Sequence, residues 1–169
     1  MSRIEGELEP HIPSLRRYAF ALTRDHAAAD DLVQDCLERA ISRWILHRAG
    51  TDLRAWLFTI LHNLFISARR SERRRPFHTA LDDETEAASG VPATQDSQWL
   101  GRDILSQLAA LSEDHRTVLL LVGVEGLAYG DVATVLGLPV GTVMSRLSRA
   151  REQFRRQLEG ERPALRRVK

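Results

Sequence analysis

Apolar residues recur along this chain at helical spacing, and no stretch keeps a period of two. Leu15, Tyr18, Ala19 and Leu22 mark a first amphipathic segment, after which Thr23 and Asp25 can cap a new start. From Ala27 to Trp44 one broad stripe forms from Ala29, Leu32, Val33, Cys36, Leu37, Ala40, Ile41 and Trp44, with Asp30, Asp31, Gln34, Asp35 and Glu38 largely off it. Ala49-Gly50-Thr51-Asp52 signals a turn, with Asp52 as N-cap of a third helix running from about Leu53 to Arg70. Trp56, Leu57, Ile60, Leu61 and Leu64 face inward on it, and an arginine-rich run to Arg75 is stopped by Pro76.

Residues 76–97 are polar and acidic, without sustained apolar periodicity, and read as a flexible linker. Beyond them Ile104, Leu105, Leu108 and Leu111 mark a helix. Ser112 caps the next, whose core is Val118, Leu119, Leu121 and Val122, and Gly126 breaks it. A short helix from about Tyr129 to Leu136 meets a turn at Gly137, and a long helix follows from about Val140 to Leu158. The pattern predicts an all-α protein of two small helical domains joined by a flexible acidic linker, the second a helix-turn-helix. The boundaries fall at 1–75, 76–97, 98–160 and a basic tail at 161–169. With roughly 70 residues each, both cores are marginal in size.

Charge sharpens this division. The net charge of the 169 residues is only +1, which on its own argues against a strongly basic nucleic-acid binder. Residues 1–81 hold 13 basic and 10 acidic side chains, residues 82–98 hold five acidic and no basic ones, and residues 99–169 hold 11 basic and 8 acidic. Two mildly basic blocks thus flank an acidic spacer. Of the 24 basic residues only Lys169 is not arginine; the bias suits bidentate phosphate contacts and equally suits a GC-rich genome. The single cysteine, Cys36, excludes an internal disulfide. The longest apolar run is Val118–Val122, far short of a membrane span, and the N-terminus lacks a basic-then-apolar leader pattern. A soluble cytoplasmic protein without membrane contact is expected.

Three constellations could carry chemistry. The strongest is the helix-turn-helix, where Gly137 can adopt a positive φ and Val132, Leu136, Leu138, Val143 and Leu147 close a small core. Its second helix presents Thr142, Ser145, Ser148, Arg149 and Glu152, with Arg146, Arg151, Arg155 and Arg156 around them, which suits a helix laid in a major groove. A plain helical hairpin with a solvated arginine face is the alternative. In the third helix, Trp56, Phe58 and Phe65 near the arginines combine aromatics with charge as single-strand binders do, although Trp56 fits a core role better. Asn63 and Ser67 lie one turn apart and could hydrogen-bond an unstacked base. The third is Asp30-Asp31-Leu32-Val33-Gln34-Asp35, a solvated acidic face or a dock for a basic helix. The six histidines are scattered away from these acids, so no metal site is expected, and no cofactor loop or catalytic constellation stands out.

These segments resemble a known family. Asp30 through Ala40 looks like the second conserved region of bacterial sigma factors of the extracytoplasmic-function (ECF) type, within the sigma-70 family, and Leu53 through Asn63 is similar to its promoter-melting segment. Leu111–Arg116, Glu125–Tyr129 and Val140–Arg151 resemble the fourth region. The resemblance covers about residues 13–75 and 99–158. It implies a non-catalytic factor that directs core RNA polymerase to promoters. It places Asp31, Leu32, Gln34, Asp35 and Glu38 at the polymerase clamp helices. It places His47, Leu53, Asn63, Ser67, Arg69, Arg70, Arg73 and Arg74 at the −10 element, with the loop Ile45–Asp52 capturing a flipped base. It places Thr142, Ser145, Arg146, Ser148 and Arg149 at the −35 element, and the acidic linker in the polymerase interior. An anti-sigma factor is an implied partner, and the free protein is expected to be a monomer. Met144 stands where many members carry Lys or Arg. A stand-alone helix-turn-helix regulator, a pure interaction module and an enzyme are the competing readings; the first leaves the acidic segment without a role, and the last lacks any assembled site.

Overall fold

The computed structural model describes residues 3–47, 52–74 and 104–160. The linker, the basic tail and residues 48–51 of the expected base-capturing loop lie outside the described residues, as does Arg75. Helices account for the described chain: α1 (Arg3–Leu8), α2 (Ile12–Thr23), α3 (His26–Ser42), α4 (Leu53–Arg74), α5 (residues 104–110), α6 (Glu113–Leu119), α7 (Tyr129–Leu136) and α8 (Val140–Gly160). Single 3-10 turns at Glu9–His11 and Trp44–Leu46 follow α1 and α3.

The helix starts follow local chemistry. Pro13 sits in the first turn of α2, where its missing N–H costs nothing. The Asp25 carboxylate accepts from the Ala28 N–H at 3.0 Å and caps α3. The Asp52 carboxylate accepts from the Arg54 N–H at 2.9 Å, and the Ser112 hydroxyl accepts from the His115 N–H at 3.3 Å. The ends are less regular. α2 stops at Arg24, a non-glycine residue with φ of 57°, a conformation that costs an L-residue about 1–2 kcal/mol. After α6 the backbone widens into a π turn over Leu120–Val124, where the sequence pattern suggests unbroken α-helix. There the Glu125 N–H donates to the Leu120 carbonyl at 2.9 Å, and Gly126 reverses the chain at φ of 67°.

In the first unit, α2, α3 and α4 bury the expected stripe. Tyr18 meets Phe58 edge-on with ring centroids 5.3 Å apart, and Cys36 is fully enclosed. Ile41, assigned to the stripe by spacing, lies exposed because α3 ends one residue later. In the second unit α6 and α7 pack on α8 around Val118, Leu121, Val132, Val143 and Leu147. The Arg116 guanidinium donates to the Leu108, Ala109 and Leu111 carbonyls, each at 3.0 Å, and so satisfies the end of α5. Leu136 and Leu138 are half-buried at the turn. α4 also packs against α7, and the buried residues of both units join in one continuous cluster.

Candidate nucleic-acid interface

The α3 acids separate from the apolar stripe by helical geometry. Asp31, Gln34, Asp35 and Glu38 lie one turn apart in pairs and are exposed. The Gln34 side-chain amide donates to the Glu38 carboxylate at 3.0 Å, which orders that edge. Asp30 is held by Arg16 at 3.1 Å. Leu32, which belongs to the apolar stripe by spacing and which the resemblance also places at the polymerase contact, is buried with Ala29, Val33 and Cys36 beneath this exposed edge.

Around the start of α4, His47 sits between Trp44 and Trp56, with ring centroids 5.6 and 5.0 Å away. Beside this cluster a hollow of about 440 Å³ is lined by Leu46, His47, Asp52, Ala55, Trp56 and Thr59 of the first unit and by Asp131 and Thr134 of α7. Ile45 is 97% exposed. Leu53 is half-buried. Further along α4, Asn63 and Ser67 are both exposed, and the Ser67 hydroxyl donates to the Asn63 carbonyl at 2.8 Å. Arg69, Arg70, Arg73 and Arg74 are exposed on the last turns. Arg69 leans over Phe65 and pairs with Glu113 of α6 at 3.3 Å. Phe58 and Phe65 are buried in the core and cannot stack on a base, so only Trp56, half-exposed, remains of the expected aromatic platform.

On α8, Val143, Leu147 and Ala150 face the core, and the intervening positions turn outward. Ser145, Ser148 and Arg149 are exposed, and Thr142 is half-buried. The Ser145 hydroxyl donates to the Thr142 carbonyl at 3.1 Å. Arg146 is tied to Asp114 at 3.2 Å, which fixes its orientation. Met144 is 51% exposed among these hydroxyls. Glu152 pairs with Arg155 and Arg156, so Arg149 and Arg151 are the more available cations of this face.

The sequence pattern did not single out Arg17, Arg54 and Glu125. These residues join α2, α4 and the end of the π turn in one ion cluster. The available signal is a single acid inside the apolar stretch Val118–Leu127. Elsewhere burial dominates titration. It lowers the His62 imidazole below 6.5 and pushes the Cys36 thiol up to about 12. Among the described residues, no three His, Cys, Asp or Glu side chains gather as a metal would require. No described helix is long and apolar enough to cross a membrane.

The comparisons agree with this layout. The family description "Sigma2 domain of PhyR" matches residues 8–62, and "Sigma-70, region 4" matches residues 101–154. The ECF RNA polymerase sigma factor EcfG of Rhodopseudomonas palustris is 39% identical over 143 residues, covering 85% of this chain and 78% of that protein. The ECF RNA polymerase sigma factor SigL of Mycobacterium tuberculosis is 35% identical, covering 89% and 86%. Among solved structures, the sigma factor RpoE from Bartonella quintana, in complex with the anti-sigma factor NepR, is 36% identical with a TM-score of 0.76 over 94% of this chain and 98% of that one. An all-helical fold with this pair of units defines a bacterial transcription initiation factor. The chain belongs to the ECF RNA polymerase sigma factors, and its work is promoter recognition and transcription initiation.

Proposed function

We propose that promoter selection is divided among three faces of this chain. Asp31, Gln34, Asp35 and Glu38 dock a basic partner helix of core polymerase, and Leu32 supports that face from beneath. His47, Leu53, Asn63 and Ser67 read the −10 element, with Arg69, Arg70, Arg73 and Arg74 on the adjoining phosphates. Thr142, Ser145, Ser148 and Arg149 read the −35 element in the major groove, and Arg146 is positioned by Asp114. Residues 1–75 and 98–160 form the two working domains, and the acidic segment 76–97 runs through the basic interior of the polymerase.

The observation that carries this reading is the split of α3 and α8 into one buried apolar side and one exposed polar side. Each polar side has the chemistry its partner needs: carboxylates toward protein, hydroxyls and arginines toward DNA. The chain acts by binding, with no cofactor and no reaction of its own, as a cytoplasmic monomer when free. An anti-sigma factor is a further partner, supported by the RpoE structure with NepR at 36% identity.

The docking face is tested by Asp31→Arg combined with Gln34→Ala. Both side chains are exposed, so the fold stays intact while affinity for core polymerase falls. Unchanged affinity removes α3 from the interface.

A further inference from the structure

We propose, building on the assignment of α8 to the −35 element, that Met144 is a specificity-determining residue of this chain and selects thymine by packing on its C5-methyl group. Val140, Met144 and Ser148 stand one turn apart on α8 and form a single row along the helix. Val140 is 44% exposed and Met144 51%, although both are apolar, and Ser148 is exposed beyond them. The row borders the outward face that carries Ser145, on the side away from buried Val143 and Ala150. Gly141 lies beside it, and a Cβ there would meet nothing within 4 Å. Bare backbone at this point lets a base edge approach Met144 closely.

One exposed apolar side chain alone calls for no explanation, but Met144 does not stand alone. It lines a hollow of about 280 Å³ together with Tyr129 of α7, Leu147 and Ser148, and Tyr129 is itself 38% exposed. Arg151 and Arg155 line the same hollow. Glu152 is the one acid among the described residues around it, and Glu152 is paired with Arg155 and Arg156. The result is an apolar spot set in a positively charged surround. Such a surface fits a polyanion that carries an apolar projection.

In the major groove the thymine methyl is that projection, because the other groups that distinguish the base pairs are hydrogen-bond donors and acceptors. The unbranched thioether of methionine adapts its shape to a small apolar group. Water released from between the two supplies the free energy. Ser145, Ser148 and Arg149 read donors and acceptors and gain nothing from the methyl. Removing the methyl alone therefore isolates the part played by Met144.

The test is run-off transcription from a native promoter by the full chain with core polymerase. Each thymine upstream of the −10 element, on either strand, is replaced in turn by deoxyuridine, which removes the methyl and keeps every hydrogen-bonding group. With the wild type, at least one replacement should lower transcription about fourfold, the worth of one buried methyl. Met144→Ala should transcribe the thymine and uracil templates equally, and Met144→Leu should keep the preference. Met144 is half-exposed, so circular dichroism should show unchanged helix content in both variants. No methyl dependence in the wild type overturns the proposal, as does a dependence that survives in Met144→Ala or vanishes in Met144→Leu. A Met144→Ala loss that is equal on all templates and matched by weaker core binding makes the patch a polymerase contact, and overturns it too. Indifference to every upstream base-pair change defeats the −35 reading itself, whereas sensitivity to base pairs without sensitivity to the methyl overturns only the role of Met144.

Discussion

Replacing Gly137 by alanine tests how the helix-turn-helix is built. Gly137 ends α7 with φ of 63° and ψ of 38°. An L-residue in that conformation costs about 1–2 kcal/mol. A Cβ placed there meets nothing within 4 Å, so no clash adds to the conformational cost. The turn also carries the Leu138 N–H to the Ala133 carbonyl at 3.0 Å, so the left-handed geometry cannot relax without losing that bond. Gly137→Ala should therefore destabilise by about 1–2 kcal/mol. Gly130 supplies the internal control. It lies in the first turn of α7 without a positive φ, and a Cβ there also meets nothing within 4 Å. Gly130→Ala should stabilise by about 0.4–1 kcal/mol, through the reduced freedom of the unfolded chain. Urea denaturation followed by circular dichroism compares the two. The same substitution seven residues apart should move the midpoint in opposite directions. Midpoints that move the same way, or a Gly137→Ala variant as stable as the wild type, refute the assigned turn geometry.

Two further outcomes follow from the site and the core. His62 is buried with Nδ1 3.2 Å from the Tyr18 hydroxyl, and burial holds its pKa below the ordinary 6.5. Below 6.5 the unfolded chain takes up a proton that the folded chain refuses, so stability is fully present above that pH and falls as pH drops toward the folded value. His62→Gln should flatten this acid limb in urea titrations at several pH values; an unchanged slope excludes His62 as its source. Arg149→Ala should weaken −35-dependent transcription by the worth of one groove contact, about 1–3 kcal/mol, while a pre-melted template loses less. Equal losses on both templates place Arg149 outside promoter reading.

What was legible in the sequence was local. Asp25, Asp52 and Ser112 each cap a helix within three residues, and α7 runs from Tyr129 to Leu136 as its pattern implies. Gly137 marks its own turn because few other residues tolerate that φ. Irregular backbone was not legible: Arg24 reverses the chain without a glycine, and the π turn before Glu125 has the composition of ordinary helix. Burial around α4 is only partly legible in the sequence. Phe58 and Phe65 sit near arginines in sequence, as a stacking platform would, yet their helical phase turns them inward. Leu32 lies buried, as its place in the apolar stripe implies. The Glu125 cluster joins residues 108 and 71 positions apart, and no local pattern encodes such a pairing.

The central claim is that this chain makes core polymerase promoter-specific. Reconstituted run-off transcription measures that directly, with purified chain, core polymerase and a set of promoters from the native genome. Discrete transcripts that need both the chain and the core enzyme are expected. They should be lost with Asp31→Arg plus Gln34→Ala. No core binding and no transcripts from any promoter would contradict the account, and tight promoter binding by the chain without core polymerase would make it a stand-alone regulator.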